Sequence, residues 1–253
     1  MNPGFLTAVL LSFRVARSEI ASRYARSVLG SFWVTLQQAL YVATAGLLFH
    51  RVFNVTLADY LPFFAVSLLF WNFLSNTLLE SMEALSANAP MVKDRGFSPD
   101  IFLFAAFGRN VLISAHALPV PAVLIAVLSG SSLGNLVLAL PGLVSFLVAT
   151  AAVSYVLGLV AVRYRDFKRL IESLLQVAFL VTPILWKPSF VADQRLAIIY
   201  ANPLVYLFDA WREPLIDGVF SFRTLALSMA IALLCLFAAV LARRQAARIA
   251  IWI

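Results

Sequence analysis

The chain has 253 residues, of which 62% are hydrophobic and only 12% are charged, and its formal net charge is +7. A soluble domain carries about 25% charged residues, so this composition excludes a protein that folds in water alone. The basic residues cluster at the ends of apolar runs, which is typical of membrane topology signals and argues against nucleic-acid binding.

The apolar runs predict an all-α, polytopic membrane protein. Runs of about 20 apolar residues are long enough to cross a hydrocarbon core roughly 30 Å thick. Within lipid only helices and closed barrels satisfy the backbone hydrogen bonds, and these runs are continuous, which favours helices. Six transmembrane helices are predicted, at residues 29–49, 61–79, 101–128, 136–162, 171–186 and 224–242.

The N-terminal segment differs in pattern from the spans. Phe5, Val9 and Phe13 recur every four residues, while Glu19 and Arg23 share another face, which predicts a helix lying along the membrane interface. The whole chain is predicted to be one transmembrane domain. Its parts are the interfacial helix at 1–28, spans one to five at 29–186 with a short helix bounded by turns inside 80–100, a connecting region at 187–222, and span six with a basic tail at 223–253.

The distribution of basic residues predicts the orientation. An even number of spans puts both termini on one side, and 13 of the 19 Lys and Arg residues fall on that side, against five on the other and Arg109 within span three. By the positive-inside rule, both termini are predicted to be cytoplasmic.

Several kinds of chemistry are disfavoured by the residues present. None of the ten glycines is followed by lysine, so the chain lacks a phosphate-binding glycine loop and another subunit would have to hydrolyse ATP. Cys235 is the single cysteine, and His50 and His116 have no metal-binding spacing, so neither a disulfide framework nor a metal site is expected. The acidic residues are predicted at span ends or in loops, with Glu80 and Glu172 closest to the spans, which argues against an ion-coupled carrier.

A series of short motifs, in a fixed order along the predicted topology, carries a resemblance to a known family. The motifs are Ser22-Arg23-Tyr24, Ser27-Val28-Leu29-Gly30 with Trp33, Asn-Ala-Pro-Met-Val-Lys at 88–93 with Phe97 and Pro99, Tyr164-Arg165-Asp166-Phe167, Thr182-Pro183-Ile184 with Trp186, and Asn202-Pro203-Leu204. Together they resemble the permease subunits of ABC type-2 exporters, in the branch that exports O-antigen, capsular polysaccharide and teichoic acid.

The resemblance implies a homodimer in the bacterial inner membrane that pairs with a separate nucleotide-binding ATPase subunit. The chain itself would have no cofactor, and ATP and Mg would bind the partner. The residues that would contact the ATPase are Arg14, Arg17, Arg23, Arg26, Asn88, Lys93, Asp94 and Arg95. The alternative for the loop residues is that they are solvated turn residues and orientation signals.

The resemblance also implies two short outer gating helices between spans five and six, at 193–200 and 204–214. An Asn-Pro turn separates them, and Pro203 suits a first helical turn because its missing N–H needs no partner there. The candidate gate residues are Asn202, Pro203, Tyr206 and Trp211. The alternative is a plain extracytoplasmic loop on the surface.

Aromatic faces with amides and hydroxyls between them suit a conduit for sugars. Spans one, two and five offer this mixture, although aromatic residues also anchor membrane proteins at the interface. The candidate channel residues are Trp33, Gln37, Gln38, Tyr41, Phe70, Trp71, Asn72, Phe73, Asn76, Phe179, Thr182 and Trp186.

These inferences favour a transport subunit, without enzymatic activity of its own, for export of a lipid-linked polysaccharide. One alternative is an ABC type-2 exporter of a drug, lipid or other cargo. Another is a membrane-embedded glycan or lipid transferase, which would need acids and bases clustered at one membrane face, whereas Asp94 and Asp166 are isolated in sequence.

Overall fold

A computed structural model describes residues 5–24, 27–94, 97–130, 132–164, 166–190 and 197–244, and these residues are helical throughout most of their length. The helices are α1 (Phe5–Tyr24), α2 (Phe32–Val52), α3 (Leu57–Ala87), α4 (Ala89–Lys93), α5 (Pro99–Ala117), α6 (Pro119–Leu124), α7 (Leu133–Arg163), α8 (Phe167–Val181), α9 (Ala197–Ala201), α10 (Pro203–Asp217) and α11 (Phe222–Arg243).

Five helical segments are long and apolar enough to cross a membrane: Phe32–Val52, Leu57–Ala87, Pro99–Ser129, Gly134–Arg163 and Phe222–Arg243. They correspond to predicted spans one to four and six, and the prediction of an all-α, polytopic membrane protein is confirmed. Predicted span five corresponds to α8, which has 15 residues. Such a helix rises about 22 Å, less than the thickness of the hydrocarbon core, so the count of six spans stays a prediction.

Two helices run differently from the sequence prediction. Helix α3 continues to Ala87, beyond the predicted end at residue 79, because Glu80 finds polar partners on neighbouring helices and need not end the helix in water. The third span is divided into α5 and α6 at Leu118, because Pro119 begins a new helix, and it continues through a π-helical turn at Ile125–Ser129.

Helices α3 and α7 form the centre of the described bundle. Helix α3 packs against α2, α5, α7 and α8, and α7 packs against α10 and α11. A cluster of aromatic rings fills the space between α3, α7 and α10. Its centre is Phe146, whose ring centroid lies 5.1 Å from that of Phe208 and 5.7 Å from that of Phe70.

Helix α1 packs lengthwise against α5 through small residues. Ala8, Ser12 and Ala16, spaced four residues apart, are buried, and Gly108 of α5 faces Ala16. Small residues allow two helix backbones to approach closely. The apolar face predicted from Val9 and Phe13 is exposed, so α1 uses a different face to contact the bundle.

Helix α10 crosses α7 at Gly142, where the two backbones approach so closely that no side chain fits. A methyl group on Gly142 would overlap the Ala210 carbonyl and lie 2.7 Å from the Trp211 backbone nitrogen. Gly46 of α2 offers a matched comparison, because a methyl group there meets only the flexible end of the Leu61 side chain.

We expect Gly142→Ala to destabilise the fold by about 2–3 kcal/mol, because one backbone must move away from the other. Gly46→Ala should change stability by no more than about 1 kcal/mol, since Leu61 can rotate and alanine favours the helix. Thermal unfolding of both variants in detergent tests this. Equal losses at the two positions would contradict the proposed backbone contact.

Candidate functional site

A cavity of about 960 Å³ lies between α2, α3, α5 and α8, next to the end of α1. Its wall combines apolar residues with amides, hydroxyls and aromatic rings. The uncharged polar and aromatic lining residues are Gln37, Gln38, Tyr41, Trp71, Asn72, Phe73, Ser75, Asn76, Asn110, Ser114, Gln176 and Phe179.

Most of the predicted channel residues lie in this wall: Gln37, Gln38, Tyr41, Trp71, Asn72, Phe73, Asn76 and Phe179. These side chains differ in their exposure to solvent. Gln37, Asn72 and Asn76 are exposed, whereas the buried Gln38 donates its amide hydrogen to the Ala65 carbonyl at 3.2 Å. Trp71 is also mostly buried, and its ring packs 5.4 Å from that of Phe179.

The other predicted channel residues lie elsewhere. Trp33 lines a neighbouring, more open hollow of about 660 Å³, which shares Gln37 and Tyr41 with the main cavity. Phe70 packs on Trp211 with the ring centroids 4.3 Å apart. Thr182 is buried and accepts a hydrogen bond from Asn202, and Trp186 donates its indole hydrogen to the Leu180 carbonyl at 3.2 Å. The cavity therefore brings together most of the α2 and α3 candidates and Phe179 of α8.

Sequence reasoning missed several polar residues of the same wall, including Asn110, Ser114, Glu172 and Gln176. On α8 a signal was available, because Glu172, Gln176 and Phe179 are spaced by four and three residues and so share one helical face. No comparable sequence signal marks Asn110 and Ser114 of α5, because their position in the wall depends on how α5 packs against α3.

A charged network links α1, α3 and α5 at one end of the cavity. The Arg109 guanidinium contacts Glu80 at 2.8 Å and also pairs with Glu19. The Asn110 amide donates to Glu80 at 2.7 Å, and Arg23 reaches the same carboxylate at 3.3 Å. Glu80, expected at the end of span two, therefore lies within a helix and is held by partners on two other helices.

The predicted ATPase-binding residues are mostly at the surface. Arg14, Arg17 and Arg23 are exposed on α1, and Lys93 and Asp94 are exposed at the end of α4. Helix α4 is anchored by the buried Val92, so the charges beside it have a fixed position. Asn88 is half-buried and donates to the Ala84 carbonyl at 2.9 Å. Arg26 and Arg95 lie outside the described residues.

The predicted gate region contains α9 and α10, and residues 193–196 of its first predicted helix lie outside the described residues. Pro203 occupies the first turn of α10, and the Asn202 side chain caps this helix by accepting a hydrogen bond from the Leu204 N–H at 3.0 Å. The Tyr206 hydroxyl donates to the Tyr200 carbonyl at 2.9 Å. Trp211 is 1% exposed and belongs to the aromatic core.

A buried arginine attaches α10 to the rest of the bundle. The Arg212 side chain is 3% exposed and pairs with Asp209 on its own helix. It also donates to the Ser67 hydroxyl at 2.8 Å and to the Pro183 carbonyl at 2.5 Å, and its guanidinium carbon lies 4.4 Å from the centre of the Phe63 ring. One side chain thus joins α10, α3 and the turn that follows α8.

The long apolar helices, with a polar cavity between them, define a polytopic helical membrane protein. The ABC-2 type transporter family matches residues 12–216, which is most of the chain, and the chain belongs to this family.

The chain is similar to three curated proteins, each named O-antigen export system permease protein RfbA. Two are from Klebsiella pneumoniae: one is 22% identical over 227 residues and the other is 25% identical over 234 residues, and each comparison covers 89% of this chain and 87% of the relative. The third, from Myxococcus xanthus, is 25% identical over 204 residues, which cover 80% of this chain and 78% of the relative.

Proposed function

We propose that this chain is the permease subunit of an ATP-driven exporter that moves a lipid-linked polysaccharide, of the O-antigen or capsule type, across the bacterial inner membrane. The observation that carries the proposal is the cavity lined by amides, hydroxyls and aromatic rings between α2, α3, α5 and α8. Membership of the ABC-2 type transporter family and the names of the similar curated proteins support it.

The lining matches the chemistry of a sugar chain. Amide side chains such as Gln37, Asn72 and Asn76 both donate and accept hydrogen bonds, as sugar hydroxyls do. Aromatic rings such as those of Tyr41 and Phe179 offer flat apolar faces to the C–H faces of sugar rings. A purely lipidic or apolar drug cargo would offer these amides no hydrogen-bond partners.

The proposal includes two partners. ATP and Mg would bind a separate nucleotide-binding subunit, because no glycine of this chain is followed by lysine. A second copy of the chain would close the cavity, since α2 presents Trp33, Leu40 and Tyr41 at its surface beside it, each at least half exposed. Both termini would be cytoplasmic, where the basic residues are concentrated.

Deletion of the gene tests the proposed cargo. Spheroplasts of the deletion strain should hold polymer that an added glycosidase cannot reach until the cells are lysed, and a plasmid copy of the gene should restore access. Unchanged access in the deletion strain would reject polysaccharide export. Loss of resistance to a drug or loss of a lipid from the outer leaflet, with normal polymer export, would support the alternative exporter function.

A charge reversal tests the docking of the ATPase. We expect Lys93→Glu to reduce recovery of the ATPase subunit with the tagged permease at least about tenfold, because like charges facing each other across an interface cost several kcal/mol. Arg51→Glu is the control, because Arg51 is also exposed but ends α2 on the opposite predicted side. Equal recovery with Lys93→Glu and the wild type would contradict docking at α4.

A further inference from the structure

Helix α10, in the predicted gate region, carries three carboxylates on one face. Asp209, Glu213 and Asp217 are spaced four residues apart, so each lies about one helical turn from the next. Carboxylates one turn apart on a helix repel each other when they are ionised. Cations or bound protons must therefore offset the charge of this face.

Two cations lie beside this face, and each pairs with one of the outer carboxylates. Arg212 pairs with Asp209, and Lys187, in the turn after α8, contacts Asp217 at 2.6 Å. In the part of the chain that the structure describes, Glu213 forms no hydrogen bond or ion pair. The middle carboxylate of the series is therefore the one without a partner.

The other helices that pack against α10 do not supply the missing cation. Helix α7 has no charged residue before Arg163, which ends the helix on the opposite predicted side of the membrane. The titratable side chains that the neighbouring elements carry on the side of Glu213 are Asp59 and Tyr60 of α3, Lys187, Tyr200 of α9 and Arg223 of α11. Within the described ranges, none of them bonds to Glu213.

The surroundings of Glu213 favour its protonated form. The side chain is half-buried, and its removal from water is the largest effect on its pKa, followed by the negative charge of Asp209. Arg212 and Lys187 act in the opposite direction but do not compensate. The result raises the pKa of Glu213 from its ordinary value of 4.5 to about 7. This carboxyl group therefore changes its charge near neutral pH, where an ordinary glutamate is fully ionised.

We propose that Glu213 is a proton-binding site that controls how firmly the C-terminal half of α10 packs on the bundle. With the proton bound, the face carries two carboxylates and two cations, and the charges balance. Without it, a third carboxylate competes for Arg212 and Lys187 and weakens the two ion pairs. Because α10 belongs to the predicted gate region, its attachment would respond to extracytoplasmic pH.

The direction of the pH dependence follows from the raised proton affinity. A carboxyl group that binds its proton more tightly in the packed helix than in the open chain stabilises the packed helix at low pH. For Glu213 this stabilisation is complete below pH 4.5 and is lost as the pH rises through about 7. At higher pH the group is ionised in both states and adds no further change.

Hydrogen exchange at the Leu215 and Ile216 amides measures the opening of α10 in the full-length protein. Dividing the wild-type rate by the rate in Glu213→Gln at the same pH removes the intrinsic pH dependence of exchange. We expect this ratio to rise at least about fivefold between pH 5.5 and pH 7.5, because glutamine cannot ionise. Asp59→Asn is the control, since Asp59 lies on the same predicted side but on α3, and the ratio of wild type to this variant should stay constant.

A second variant tests the competition for Lys187. Asp217→Asn removes a neighbouring negative charge and releases Lys187, which can then pair with Glu213. An opposite charge nearby favours the ionised carboxylate. Measured with and without Glu213→Gln, the rise in exchange in the Asp217→Asn background should therefore shift at least about one unit toward lower pH.

Each result decides one part of the inference. A constant ratio of wild type to Glu213→Gln would overturn the proton site, and an equal rise with Asp59→Asn would overturn its assignment to Glu213. An unshifted rise in the Asp217→Asn background would reject the competition for Lys187. None of these measurements involves polymer export, so the proton site and the proposed function can fail independently.

Discussion

Replacing Arg109 with alanine is expected to destabilise the protein by about 3 kcal/mol, the lower end of the range for breaking a buried ion pair. The substitution leaves Glu80 and Glu19 without their shared partner, and the Arg109 side chain is only 13% exposed. Glu19 is about one-third exposed, so water screens part of the loss. Because α1 would lose its ion pair to α5, polymer export should fall with stability.

Thermal unfolding in detergent and export from spheroplasts measure these effects. Arg23→Ala is the control, because Arg23 contacts the same Glu80 but its side chain is 50% exposed. The loss of stability in this variant should be no more than about 1 kcal/mol. Adding Glu80→Gln to Arg109→Ala should recover part of the stability, because Glu80 would otherwise keep only the half-exposed Arg23 as a charged partner. No recovery in the double variant would reject the weakly paired Glu80 carboxylate as the cause.

The second large effect is expected at Arg212. Arg212→Ala should lower the free energy of unfolding by about 3–5 kcal/mol, because it leaves Asp209 unpaired and removes the donor to the Pro183 carbonyl. Export should fall more than about tenfold as a result. Arg212→Lys should retain part of the stability, since an ammonium keeps the charge but cannot form the same planar set of hydrogen bonds.

Arg223→Ala provides the control for Arg212. Both arginines fall on the same predicted side of the membrane, but Arg223 is exposed at the start of α11. Its loss should change the unfolding free energy by less than about 0.5 kcal/mol. Similar destabilisation by Arg223→Ala and Arg212→Ala would contradict the attachment of α10 through a buried guanidinium.

Much of the fold follows from local sequence. Composition and the continuous apolar runs identify a helical membrane protein, because the lipid environment requires each backbone to satisfy its own hydrogen bonds. The Asn-Pro turn before α10 was readable as a helix start, because both the cap and the proline act within one turn. The amides and aromatic residues on α2 and α3 were also recognised as unusual in apolar segments, and most of them line the cavity.

Only the tertiary structure decided the positions of the interior charges. Sequence assigned Glu80 to a span end and Arg212 to a connecting region, because hydropathy averages over neighbours in the chain. The family resemblance placed Trp211 among the candidate gate residues, and its ring lies in the aromatic core. In the folded protein Arg212 donates to Ser67, 145 residues away, and Arg23 contacts Glu80 across 57 residues. A charge or indole ring can lie inside when distant residues supply its partners or its packing. That depends on which helices meet, and the local sequence does not contain this information.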